Sequence, residues 1–131
     1  MYKIDRKSSG YLLTFAGVIG REEMARWVEE SKRALQNEKS LKFGVIVDMR
    51  TLAPLAQDTQ ELMVKGQQLY KEKGMERSAV VLNNSVTTMQ FKRLAKESGI
   101  YAFERYIDAS EVADWKKPAV DWVRDGKDPD A

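Results

Sequence analysis

The side chains able to do chemistry are carboxylates, hydroxyls and amides at three places: Asp48, Asn83-Asn84-Ser85 and Asp108. Each closes an apolar, β-prone run, and in open α/β sheets ligands sit beyond the carboxyl ends of the strands. A helix opening at Asn83, Asn84 and Ser85 would offer free N–H groups to an anion. The same residues, and Asp108, serve equally well as helix caps without any ligand. Asp48 and Asp108 could act as an acid/base pair, but no distinctive spacing supports one. A Mg²⁺ site at Asp48 would need an acidic pair after an earlier strand, and Ala16-Gly17-Val18-Ile19 offers none. No catalytic residue, no metal and no cofactor is expected.

Whole classes of chemistry are excluded by composition. The chain has 131 residues with no Cys and no His. Ser-His-Asp and Cys-His nucleophilic sites, thiolate redox chemistry, disulfides and closed structural zinc sites therefore cannot form. The formal charge of +2 lies far from the basic excess of a nucleic-acid binder, and no RNP, zinc or helix-turn-helix pattern occurs. Gly17-Val18-Ile19-Gly20 is too short for a phosphate-binding glycine loop. Apolar runs such as Gly44–Val47 fall far short of a membrane span. Met1–Arg6 carries no signal-peptide core, so a cytoplasmic location is expected.

The elements that must position these residues follow from periodicity. Tyr2–Asp5 and Tyr11–Phe15, separated by Ser8-Ser9-Gly10, predict a β-hairpin. A helix over Arg21–Gln36 presents Met24, Trp27, Val28, Ser31 and Leu35 on one face. Phe43–Asp48 is continuously apolar up to its last residue, as in a strand covered on both faces. A loop over Met49–Ala56 and a helix from Gln57 or Asp58 to Lys73 follow, with Leu62, Gly66 and Leu69 inward. Gly66 in mid-helix predicts a close backbone approach. Ser78–Leu82 reads as a second buried strand, Val86–Ser98 as a helix capped by Asn83–Ser85, and Glu104–Ile107 as a short strand. Asp108-Ala109-Ser110-Glu111 has capping-box spacing, predicting a fourth helix there with Val112, Trp115, Ala119, Trp122 and Val123 on one face. Pro118 predicts a break near Lys117. The expected architecture is a single α/β domain over residues 1–131. It has a mostly parallel sheet of about five strands that starts with a hairpin, four helices packed on it, and a frayed polar tail over 124–131.

This order, together with Arg105–Trp115, resembles the SpoIIAA-like family of the STAS superfamily, the sulfate transporter and anti-sigma factor antagonist domains. Glu111 and Trp115 keep the spacing of the family's closing acidic-to-Trp run, while Lys116 stands where Leu is usual. The resemblance spans about Tyr2 to Val123. It implies a non-enzymatic module that works by binding a partner, with a face formed by Thr51, Gln57, Asp58, Thr59 and Glu61. Anti-sigma factor antagonists carry a Ser whose phosphorylation releases the partner. Counting on from Asp48 to that position reaches Gln57, and Thr59 is the nearest hydroxyl.

The family's layout is also similar to that of CRAL-TRIO lipid carriers. This implies a second role, binding of a lipid or apolar small molecule with transient peripheral membrane contact. Leu52 and Leu55, in an unusually apolar loop, and Val86 and Met89, on the third helix, would line or gate such a pocket. Val86 and Met89 lie away from the Thr87–Phe91–Leu94–Ala95–Ser98 stripe, so they either contact a ligand or pack under the preceding loop. Lys92, Arg93 and Lys96 beside them are read as a solvated face that could also meet anionic lipid. The partner itself is unknown; a homo-oligomer is compatible with the sequence, and nucleic acid is not expected.

Overall fold

A computed structural model describes residues 1–131. Five strands form one sheet in the order β1-β2-β3-β4-β5. Strands β1 (Tyr2–Lys7) and β2 (Gly10–Gly17) pair antiparallel as the expected hairpin. Strands β3 (Phe43–Leu52), β4 (Met75–Leu82) and β5 (Glu104–Asp108) continue from β2 in parallel. The two apolar runs ending at Asp48 and Leu82 therefore lie side by side in the interior of the sheet. Helices α1 (Arg21–Gln36), α2 (Gln57–Lys73) and α3 (Ser85–Ser98) pack on one face, and α4 (Lys116–Asp125) on the other.

The main core lies between the sheet and α1–α3, where Phe15, Val45 and Val80 meet Met24, Trp27, Met63, Tyr70 and Phe91. The smaller core places Ala79, Val81 and Ile107 against Ala119 and Trp122 of α4. Gly66 explains how α1 and α2 come together: a Cβ there would stand 2.0 Å from Trp27 Cζ3. The indole lies in the space that any side chain at position 66 would fill.

Several elements depart from expectation for visible reasons. Strand β3 extends to Leu52, shortening the expected Met49–Ala56 loop. A bulge between Thr14 and Ala16 restores pairing, so that Ala16 meets Thr51 and Gly17 meets Leu52. Helix α2 turns Thr59, Gln60, Met63, Gly66, Gln67 and Tyr70 inward, while Leu62 and Leu69 are only half-buried. The cap of α3 is Asn84, whose Oδ1 accepts from Val86 N (2.8 Å) and Thr87 N (3.1 Å). Ser85 is already helical. No helix opens at Asp108. Its Oδ1 accepts from both the N (2.9 Å) and the Oγ (2.6 Å) of Ser110, closing a local turn. Helix α4 begins only at Lys116, which puts Pro118 in the first turn, where its missing N–H costs nothing. The tail beyond α4 is tied back through Asp128, which accepts from Arg105 Nε (2.9 Å).

Candidate functional site

The candidate partner face lies where β3 runs out into α2. Thr51, Gln57, Asp58 and Glu61 are exposed there, at the carboxyl edge of the central strands. Asp58 is in the first turn of α2, where a carboxylate complements the helix dipole. Its backbone oxygen accepts from Arg21 Nη1 at 3.3 Å, joining the starts of α1 and α2. Thr59 stands apart from these four: it is 1% exposed, and its hydroxyl turns toward Asp58 Oδ1 at 3.4 Å.

Leu52 and Leu55 belong to the main core rather than to an open pocket, at 3% and 4% exposure. The segment between them is fastened by side-chain amides. Leu55 N donates to Gln90 Oε1 (2.9 Å), while Leu55 O accepts from Gln90 Nε2 (3.1 Å) and Gln60 Nε2 (2.8 Å). Arg93 then donates to Gln60 Oε1. The apolar character of this loop thus serves packing, with two glutamines satisfying its backbone.

A second region gathers the polar residues at the start of α3. Asn83, Asn84, Ser85, Thr88, Lys92 and Asp108 line a cleft of about 500 Å³ beyond β4 and β5. The first N–H groups of α3 are already taken by Asn84, so the helix end is capped rather than open to an anion. Val86 and Met89 stand out at 54% and 73% exposure, so they do not pack under the preceding loop. Lys92 Nζ lies 5.5 Å from the centre of the Tyr106 ring and Lys96 Nζ 4.8 Å from that of Tyr101, so both amines rest on aromatic faces.

Asp48 and Asp108 are not brought together as a pair. Asp48 is engaged by Arg50, with Nε to Oδ1 at 2.9 Å and Nη2 to Oδ2 at 3.0 Å. The hydrogen bond from Ser110 holds the Asp108 carboxyl below the usual range. No group of three or more Asp and Glu residues is placed to hold a metal ion.

Sequence reasoning missed a buried polar cluster on the core face of β4 and β5. Glu104 is 4% exposed, and it accepts from Ser78 Oγ (2.8 Å) and Tyr106 OH (2.6 Å). Burial pushes its carboxyl up to about 7, against the opposing pull of those two hydrogen bonds. Tyr106 is itself raised, first by burial and then by the Glu104 charge. Glu104, Ser78 and Gln67 border an internal cavity of about 30 Å³ whose other walls are largely apolar. The available signal was the strand register: Glu104 opens β5 directly beside Ser78, inside the parallel strand β4.

No family profile matches the chain, and no curated protein matches it. Solved structures do. One is an uncharacterized protein of the DUF3478 family from Shewanella loihica with a SpoIIAA-like fold. Its TM-score is 0.65 at 15% identity, covering 94% of this chain and 92% of that one. Another is the anti-sigma factor antagonist SpoIIAA in its unphosphorylated form, with a TM-score of 0.57 at 9% identity over 89% and 96% of the two chains. The fold is SpoIIAA-like.

Proposed function

We propose that the chain is a cytoplasmic, non-enzymatic regulatory module that acts by protein–protein contact. The observation that carries this reading is the exposed polar edge of Thr51, Gln57, Asp58 and Glu61 on a SpoIIAA-like fold, presented by a rigidly clamped loop. The fold's likeness to an anti-sigma factor antagonist supports the choice of partner binding over catalysis. Thr59 cannot accept a phosphoryl group while buried, so a switch of that kind would require the start of α2 to open first. The test is charge reversal at Asp58 and Glu61, both surface positions. Loss of a partner captured specifically by the unmodified chain supports the reading, and unaltered capture overturns it.

A second reading, transient membrane contact with an apolar ligand, draws on the exposure of Val86 and Met89 beside Lys92, Arg93 and Lys96. The internal cavity, at about 30 Å³, has room for little more than a water molecule, so a lipid would need the core to open. No helix is long and apolar enough to cross a membrane. Native mass spectrometry separates the two readings: a reproducible adduct of lipid mass favours the second.

A further inference from the structure

The sheet is covered unequally. Three helices bury the face that carries Leu13, Val45 and Val80, whereas the other face has only α4, which packs on β3, β4 and β5. The hairpin half of that face is left without a helix. There Leu12 and Thr14 of β2 remain half-buried, next to Ile46 of β3, which α4 covers only in part. Two strands at about 4.8 Å spacing make a strip roughly 10 Å wide, which is the diameter of one helix with its side chains.

Between this strip and α4 runs a groove of about 480 Å³. Its floor is apolar, formed by Leu12 and Ile46 of the sheet and Val120 and Val123 of α4. Gly44 sets its depth, since a Cβ there would stand 2.8 Å from Val123 Cβ and push α4 off the sheet. The rim is cationic, with Lys7 on one bank and Lys116 and Arg124 on the other; the lining holds no carboxylate, and Asp5, opposite Leu12 on the neighbouring strand, lies just outside it. Arg124 pairs with Asp125 outside the groove, whereas Lys7 and Lys116 enter no ion pair. By contrast, the cleft at α3 carries charges of both signs, Lys92 and Asp108.

We infer that this groove docks an acidic amphipathic helix of a partner protein, lying beside α4 with its apolar stripe on Leu12 and Ile46 and its carboxylates toward Lys7 and Lys116. The strip has the width of a helix, the floor suits an apolar stripe, and the uncompensated lysines select acidic flanks. The choice of a protein occupant rests on the partner-binding reading, but the surface is separate from Asp58 and Glu61.

The experiment is an NMR titration of the ¹⁵N-labelled full chain with a model helical peptide bearing Leu on one face and Glu on the other. A Lys-for-Glu counterpart of the same length is titrated in parallel. The expected result is shifts at Leu12, Ile46, Val120 and the Trp115 indole with the acidic peptide alone. Affinity should fall at least tenfold in the Lys7→Glu/Lys116→Glu variant, whose changes lie entirely on the surface. A Leu12→Gln variant, checked for an unchanged spectrum, should lose binding as well. Equal binding of the basic peptide, shifts confined to other surfaces, or no shift at all overturns the inference. So does protection of the same residues by anionic vesicles or by self-association on concentration, which would assign the groove to a membrane or a second copy. None of these outcomes bears on the Asp58 and Glu61 variants, so the two readings fail separately.

Discussion

Ser78 donates its hydroxyl to Glu104 across two adjacent parallel strands at 2.8 Å, and no cation shares the buried carboxyl. A lone interior carboxylate is costly, which is why burial pushes Glu104 up to about 7 from 4.5. The folded state therefore binds this proton more tightly than the unfolded chain. The resulting stabilisation is complete below the unfolded value, declines as pH rises from about 4.5 to 7, and is gone above that. The displacement corresponds to roughly 3 kcal/mol between the extremes. Glu104→Gln should flatten the pH dependence of the urea midpoint across this window and leave the variant more stable than the parent at pH 8. An unchanged slope would show that Glu104 ionises as an ordinary carboxylate.

Glu38 works in the opposite direction. The hydrogen bond from Arg6 Nε (2.8 Å) is the largest of the effects holding its carboxyl down at about 2, and Tyr11 OH (2.6 Å) adds to it. Here the folded state binds the proton more weakly, so the contribution is present above the unfolded value of 4.5 and is lost as pH falls toward 2. Arg6→Ala should therefore lower stability at neutral pH and flatten its decline between about pH 4.5 and 2, because the Glu38 pKa moves back toward its unfolded value. A stability loss of about 1–2 kcal/mol is expected at neutral pH, because a charge-assisted hydrogen bond is removed from a mostly covered carboxylate. Thermal unfolding at two pH values measures both effects.

Gly66→Ala sets two magnitudes against each other. Ala is favoured over Gly in a helix by about 1 kcal/mol. Its methyl group, however, would have to displace the Trp27 ring, which is stacked on Tyr70 at 6.0 Å and edge-on to Phe15 at 5.1 Å. Overpacking of that kind costs about 1–3 kcal/mol, so a net loss of stability is expected. A gain in Tm would mean that the indole can move aside freely.

What could be read from the chain was its periodicity. The helix over Arg21–Gln36, the inward stripe from Thr87 to Ser98 and the two interior strands each repeat an apolar pattern long enough to name both element and face. The failures lie where one side chain overrides the pattern. Asp108 resembled a helix cap by spacing, but Ser110 draws it into a turn. Hydropathy alone turns Leu62 and Leu69 inward, yet Gln60 and Gln67 occupy the core side because Leu55 O and Ser98 Oγ give them partners. At the candidate face Thr51, Gln57, Asp58 and Glu61 are exposed, whereas Thr59 is buried. The Glu104 cluster depends on strand register, which single-strand periodicity does not contain. Leu12 and Ile46 meet Val120 and Val123 only once α4 has chosen its side of the sheet.

The start of α3 offers a direct test of cap identity, since Asn84 and Ser85 are neighbours with similar chemistry and different positions. Asn84 has extended backbone angles, φ −144° and ψ 123°, and its side chain satisfies two of the orphan N–H groups of α3. Ser85 is the first helical residue and exposed. Asn84→Ala should therefore cost about 1 kcal/mol, while Ser85→Ala should fall within roughly half a kcal/mol of zero. Hydrogen exchange sharpens the comparison, because loss of the cap should speed exchange at Val86 and Thr87 without touching Leu94 or Ala95. If Ser85→Ala were the more damaging change, α3 would start one residue later with Ser85 as its cap.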